Sequence, residues 1–166
     1  MADFILPRLG ILSFLDDEFR ELLAGYGAVM STKSRDIVIQ EGAPQIHLYV
    51  VIDGIYAVTT KAAGRDVQLD SVEPGDCFGE VSLFQPGPAS ATVTSVQDGQ
   101  LWCMESDHLQ QFLFDAPHAG CALILGINTI LSRRLKRANA VIRANEIVPS
   151  FLSVRSRKRA DSTQQL

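Results

Sequence analysis

The sequence predicts a mainly β domain with flanking helices, an antiparallel sandwich or barrel. Three observations carry this. Between residues 28 and 105, short β-branched runs recur at roughly 8–12-residue spacing with turn residues between them. On either side the apolar period changes to that of an amphipathic helix. The chain has 166 residues, 46% of them hydrophobic, enough for one domain with a real core and no need of metal or disulfide staples.

Residues 13–25 read as a short helix. Ser13 is the expected N-cap, Asp17 and Glu18 suit the first turn, and Phe14, Leu15, Phe19, Leu22 and Leu23 form its apolar stripe. Ile37–Ile39 and Leu48–Ile52 are strand runs. Asp53-Gly54 after the second is a hairpin signal. Ala63-Gly64 marks another turn, and Glu73-Pro74-Gly75-Asp76 places Pro before Gly as a type II turn does. Ala91–Val96 and Leu101–Met104 are further strands, with Asp98-Gly99 between them. Trp102 is expected to pack inside the β structure.

After residue 105 the pattern becomes helical. Ser106-Asp107 caps a helix over 107–114 whose apolar face is Leu109, Phe112 and Leu113, and Ala116-Pro117 breaks it. A long helix over about 118–146 follows. Its residues Cys121, Ile124, Asn128, Leu131, Leu135, Ala138 and Ile142 are spaced as a heptad seam. The seam fits packing on the chain's own β structure and fits pairing with a second copy equally well. The organisation expected is one domain over 1–147, with strands over about 28–105, and a basic flexible tail over 148–166.

Charge is unevenly spread. Residues 1–132 carry 6 basic and 17 acidic residues, a balance of −11; residues 133–166 carry 9 basic and 2 acidic, a balance of +7. The basic end is a solvated helix face and tail, or a contact surface for an acidic partner. No apolar run reaches membrane-spanning length and no secretory signal is seen, so the expected compartment is the cytoplasm. Cys77, Cys103 and Cys121 are far apart, which argues against a disulfide framework or zinc site. Cys77 is expected to be a buried small hydrophobe. His47, His108 and His118 lack metal-ligand spacing, and no nucleophile–base pair, Walker loop or HExxH motif is present. Neither an enzyme nor a metal cofactor is indicated.

The segment Pro74–Val93 carries the chemistry. Phe78-Gly79-Glu80 opens a short helix between two strands. Gly79 allows a tight turn or close approach to a ligand, the helix start offers N–H groups to an anion, and Glu80 can accept hydrogen bonds from sugar hydroxyls. Pro86-Gly87-Pro88 shapes the return loop. With the Leu48–Gly54 strand, Glu73–Asp76, Phe78-Gly-Glu-Val-Ser-Leu83, Ala91-Thr-Val93 and the helix containing Ser132-Arg-Arg-Leu135, the chain over about 8–145 resembles the cyclic nucleotide-binding domain of the catabolite activator protein and of the regulatory subunits of cAMP-dependent protein kinase.

The resemblance implies an antiparallel jelly-roll β-barrel with a short N-terminal and a long C-terminal helix. It implies cAMP, cGMP or another small nucleotide as ligand, held by Phe78, Gly79, Glu80, Val81, Ser82, Ala89, Ser90 and Ala91. Glu80 takes the ribose 2′-hydroxyl, and Asn139 of the long helix is the candidate base contact. One position departs from the family. Where the family places a phosphate-binding arginine stands Ala89, and no basic residue occurs from Pro74 to Val93. A charged hydrogen bond is worth about 1.5–3 kcal/mol, so its loss weakens phosphate binding tenfold to a hundredfold. Arg133 and Arg134 are the candidates to compensate.

About twenty residues follow the long helix, too few for the winged-helix DNA reader of bacterial relatives. Specific DNA binding is therefore not expected. Two readings result: a stand-alone ligand sensor, dimeric through the long helix, or a degenerate copy of the fold that binds no nucleotide and serves dimerisation or an unidentified protein partner.

Overall fold

The first α-helix, α1 (Asp17–Ala24), is capped by Asp16, whose side chain accepts the Phe19 N–H at 3.0 Å. This corrects the expected start at Ser13. The Ser13 hydroxyl instead donates to the Gly10 carbonyl within a 3₁₀ turn over Gly10–Phe14. Buried Arg20 explains the break: its guanidinium donates to the Leu6 carbonyl at 2.9 Å and to the Leu15 carbonyl at 3.1 Å, and pairs with Asp17 at 2.7 Å. Leu15 is thereby held extended between the two turns of helix.

The computed structural model describes residues 4–144. The chain divides into two compact units, 1–132 and 133–166, and the described part of the second is 133–144. The basic tail expected over 148–166 lies outside the described residues.

The first unit holds eight strands: β1 (Ala28–Thr32), β2 (Ile37–Ile39), β3 (His47–Asp53), β4 (Tyr56–Ala62), β5 (Arg65–Val72), β6 (Cys77–Phe78), β7 (Thr92–Ser95) and β8 (Gly99–Glu105). They form two four-stranded antiparallel sheets, ordered β1-β8-β3-β6 and β2-β7-β4-β5, an arrangement of the jelly-roll type. Ala63-Gly64 makes a true hairpin between β4 and β5, with both residues at positive φ (50° and 76°). Asp53-Gly54 does not. Gly54 sits at φ 95°, Asp53 bonds the Gly54 N–H at 2.9 Å, and the chain leaves one sheet for the other. Both edges of β3 are already taken, by β8 and β6, so β4 cannot pair with it. The turn at Asp98-Gly99 crosses between the sheets in the same way.

Two cores result. The first lies between the β1-β8-β3-β6 sheet and the helices, and includes Leu12, Leu23, Leu48, Val50, Trp102, Phe112, Leu123 and Ile127. Trp102 is fully buried here, on the helical side of the sheet and not between the sheets, and its Nε1 has no hydrogen-bond partner. Cys77 is buried in the same core, as expected. The second core lies between the sheets: Ile39, Tyr49, Val51, Tyr56, Val72, Phe78, Ala89, Val93 and Leu101.

After β8 come α3 (Ser106–Asp115) and α4 (Pro117–Ala144). Pro117 occupies the first position of α4, where its missing N–H costs nothing. Within 117–132 the residues that enter the core are Ala119, Leu123, Ile127 and Ile130. The heptad seam read from the sequence is a different stripe. Cys121 and Asn128 are exposed, and Ile124 and Leu131 are half-buried. In the second unit Leu135 is 63% and Ile142 49% exposed. No described helix is long and apolar enough to cross a membrane.

Candidate functional site

The candidate site begins where β6 ends. Phe78 is buried between the sheets, stacked on Tyr49 with ring centroids 5.0 Å apart and tilted against Tyr56 at 5.7 Å. Gly79 then takes φ 84°, a left-handed conformation that an L side chain adopts only with strain. Space imposes glycine as well. A methyl group here would run into the His47 carbonyl and come within 2.6 Å of Gln45 Nε2.

Gln45 makes that tight corner. It is buried, its Nε2 donates to the His47 carbonyl at 2.8 Å, and its Oε1 accepts the Ile46 N–H at 3.1 Å. Sequence reading missed Gln45. Its only signal was a polar residue between Pro44 and an apolar strand, which is indistinguishable from a surface loop.

The turn at Gly79 launches α2 (Glu80–Phe84), and Glu80, its first residue, is 3% exposed. Val81 faces outward at 47% exposure and Ser82 is half-buried. The return loop contains Pro86 and Pro88, which carry no N–H. The Gln85 N–H is bonded to the Val81 carbonyl and the Ala89 N–H to the Ala43 carbonyl, each at 2.8 Å, while the Ala89 carbonyl accepts from Gly42. Ala89 is 6% exposed, with its methyl in the inter-sheet core. Ser90 is exposed and Ala91 half-buried at the entrance to β7. The fold thus brings Phe78, Gly79, Glu80, Val81, Ser82, Ala89, Ser90 and Ala91 into one strand–helix–loop–strand passage. Asn139 is exposed in the second unit.

Burial favours the neutral forms of the two phenols and the thiol that line the inter-sheet core. Burial pushes the Tyr49 and Tyr56 phenols up, and burial also raises the Cys103 thiol. Three of the first unit's cations are engaged elsewhere: Arg20 as above, Lys33 with Asp98 at 2.8 Å, and Lys61 with Asp66 at 3.0 Å. His47 approaches Glu105 at 3.6 Å, and His108 and His118 are exposed. Among the described residues no group of three or more His, Cys, Asp or Glu is placed to hold a metal ion.

The family model for the cyclic nucleotide-binding domain matches residues 29–116, more than half of the chain, and takes in both sheets and this passage. The chain belongs to the cyclic nucleotide-binding domain family. It is 30% identical over 138 residues to the CRP-like cAMP-activated global transcriptional regulator of Mycobacterium tuberculosis, a match covering 82% of this chain and 60% of that protein. It therefore spans about 60% of that regulator's length. The N-terminal domain of a transcriptional regulator from Streptomyces coelicolor A3(2) is 31% identical, with a TM-score of 0.65 and coverage of 84% of this chain and 95% of that one. The regulatory domain of protein kinase A from Toxoplasma gondii, crystallised with cAMP, is 28% identical, with a TM-score of 0.59 and coverage of 67% and 42%. These relatives are regulatory proteins.

Proposed function

We propose that this chain is a non-enzymatic, cytoplasmic sensing domain. A nucleotide-class ligand binds in the pocket formed by residues 78–93 and is read out through the long helix α4. The observation that supports this best is Glu80. It is a carboxyl group held 3% exposed at the first position of α2, directly after a left-handed glycine. In the family the same position serves the ribose 2′-hydroxyl.

The readout proposed runs through α4. Its core-facing stripe and its exposed apolar residues are separate, which leaves the latter to pair with a second copy of the chain. The proposed assembly is a homodimer through this helix, with no specific DNA contact by the chain itself and no membrane association.

Calorimetry of the full chain with a panel of cAMP, cGMP, cyclic dinucleotides and the common nucleosides tests the sensor. Saturable binding by a member of the panel, abolished in Glu80→Ala, is the expected result. No heat from any member, with a folded sample, rejects it. That outcome favours a second reading, for which Ala89 in an apolar core is the specific observation: a degenerate copy of the fold used for dimerisation or protein interaction.

A further inference from the structure

We infer that Glu41 is the positioning residue for the second half of the passage: acting through Gly42 and Ala43, it sets where Ala89 stands. This inference rests on the sensor reading above and adds to it a residue outside 78–93.

The return loop has few fixed points. Gln85, Pro86, Gly87, Pro88 and Ser90 are exposed, and Ala89 is the residue that enters the core. One buried methyl group contributes little to holding a loop. The backbone of Ala89 is held more firmly, and by one short segment. Its N–H donates to the Ala43 carbonyl and its carbonyl accepts the Gly42 N–H, each at 2.8 Å. Pro44 and Pro88 stand opposite each other in an antiparallel bridge. The path of the loop at Ala89 therefore follows that of residues 42–44.

Packing does not hold residues 42–44 in turn. Gly42 and Pro44 are exposed, and open space surrounds the place where a Gly42 side chain would stand. The Ala43 N–H closes a turn on the Gln40 carbonyl at 3.1 Å, and Glu41 moors that turn to both neighbouring strands. Its Oε1 accepts the Thr60 hydroxyl at 2.8 Å and its Oε2 accepts the Lys61 N–H at 3.0 Å. Its own N–H donates to Thr92 Oγ1 at 3.0 Å. Thr60 and Lys61 lie in β4, paired with Val67 and Asp66 of β5, and Thr92 opens β7 just after the passage. A carboxyl group whose two oxygens accept from two separate donors is fixed in place and in rotation.

The same loop reaches the first half of the passage, since Gln45 makes the corner at Gly79. The segment between β2 and β3 thus supports both ends: Gln45 at Gly79, and Glu41 at Ala89.

The experiment is amide hydrogen exchange by NMR on the full chain, as wild type, Glu41→Ala and Glu41→Gln. The Gly42 and Ala89 amides report on the loop. The Val51 and Val96 amides, bonded to the Asp76 and Ile55 carbonyls at 2.9 and 2.8 Å, serve as references. In Glu41→Ala the two loop amides are expected to exchange about tenfold faster relative to the references. Glu41→Gln is expected to stay within about threefold of wild type, because its amide can accept the Lys61 N–H and donate to Thr60. Equal acceleration at all four amides, or none at the loop, overturns the inference; so does Glu41→Gln exchanging as fast as Glu41→Ala. Where Glu41→Ala does not fold, Thr60→Val deletes one of the two bonds and is read the same way, with about threefold expected. For any member of the calorimetric panel that wild type binds, Glu41→Ala is expected to weaken binding about tenfold and Glu41→Gln to restore it. Unchanged affinity in Glu41→Ala overturns the role of Glu41 in the site and leaves the sensor standing. A wild type that binds no member of the panel rejects the sensor reading, and the exchange ratios then decide whether Glu41 positions Ala89.

Discussion

The two halves of the passage between β6 and β7 are built by opposite means. In the first, Phe78–Glu80, backbone and side chains are constrained: a buried phenylalanine, a left-handed glycine pressed against Gln45 and His47, then a buried glutamate. In the second, Pro86–Ser90, the loop is exposed except for Ala89, whose small apolar side chain is buried. The first half keeps a shape that costs stability to hold, while the second keeps the path of the chain without the charge found there in its family. Backbone geometry and ligand chemistry are therefore separable in this fold, and substitutions in the two halves should differ in size and in sign.

The largest effect is expected from Gly79→Ala. It combines strain at φ 84° with collision against a backbone carbonyl that β3 holds in place. Loss of about 3 kcal/mol is expected, read as a lower midpoint in urea unfolding. A midpoint within error of wild type would show that the corner can relax and that the first half is not constrained as described. Next is Gln45→Ala. It removes the donor to the His47 carbonyl and leaves the Ile46 N–H without its side-chain acceptor, for an expected loss of about 1–2 kcal/mol in the same assay. An unchanged midpoint would mean that water replaces both bonds at no cost.

Much of this architecture was legible in the residues, and the misreadings share a cause. Strand spacing and turn glycines located the β elements, and Phe78-Gly79-Glu80 located the short helix. Periodicity reports a local conformation, but it does not say which sheet a strand joins. Asp53-Gly54 therefore looked like a hairpin, although β3 has both edges filled by strands distant in sequence. Ser13 looked like a helix cap because the grip of Arg20 on Leu6 and Leu15 is a tertiary contact with no local signature. On α4 two apolar stripes coexist, and the heptad count followed one of which only Leu131 packs against the core. Ala89 was visible by its place in the motif, whereas the apolar company it keeps was not.

Gly87 sharpens the contrast with Gly79. It is the glycine of the unconstrained half, lacks a positive φ, and a methyl group there would meet only the Gln85 carbonyl, at 4.0 Å. Gly87→Ala should stabilise the chain by about 0.5 kcal/mol, because alanine narrows the unfolded ensemble while the folded loop accepts it. The same substitution eight residues apart in one passage would then have opposite signs. A destabilisation at Gly87 comparable to that at Gly79 would remove the distinction between the halves.

The smallest effect concerns Lys33, one of the first unit's cations. Lys33 is bound to Asp98 at the surface, where the Lys33 hydrogen bond, helped by the Ser34 N–H, holds the Asp98 carboxyl below the usual carboxylate range. A carboxyl that ionises more readily in the folded state contributes stability above its unfolded pKa and loses it as pH falls through the lower folded value. The acid limb of a melting-temperature profile should therefore be slightly flatter in Asp98→Asn than in wild type, with the two proteins closest at the lowest pH. Both partners are largely exposed, so solvent screening keeps this difference small. Lys33 responds in the opposite direction: Asp98 raises its pKa, so its share persists below the unfolded value and fades as pH rises through the folded one. A profile for Asp98→Asn parallel to wild type throughout would show that Lys33 is not committed to Asp98, and would return it to the pool of cations available to an anionic ligand.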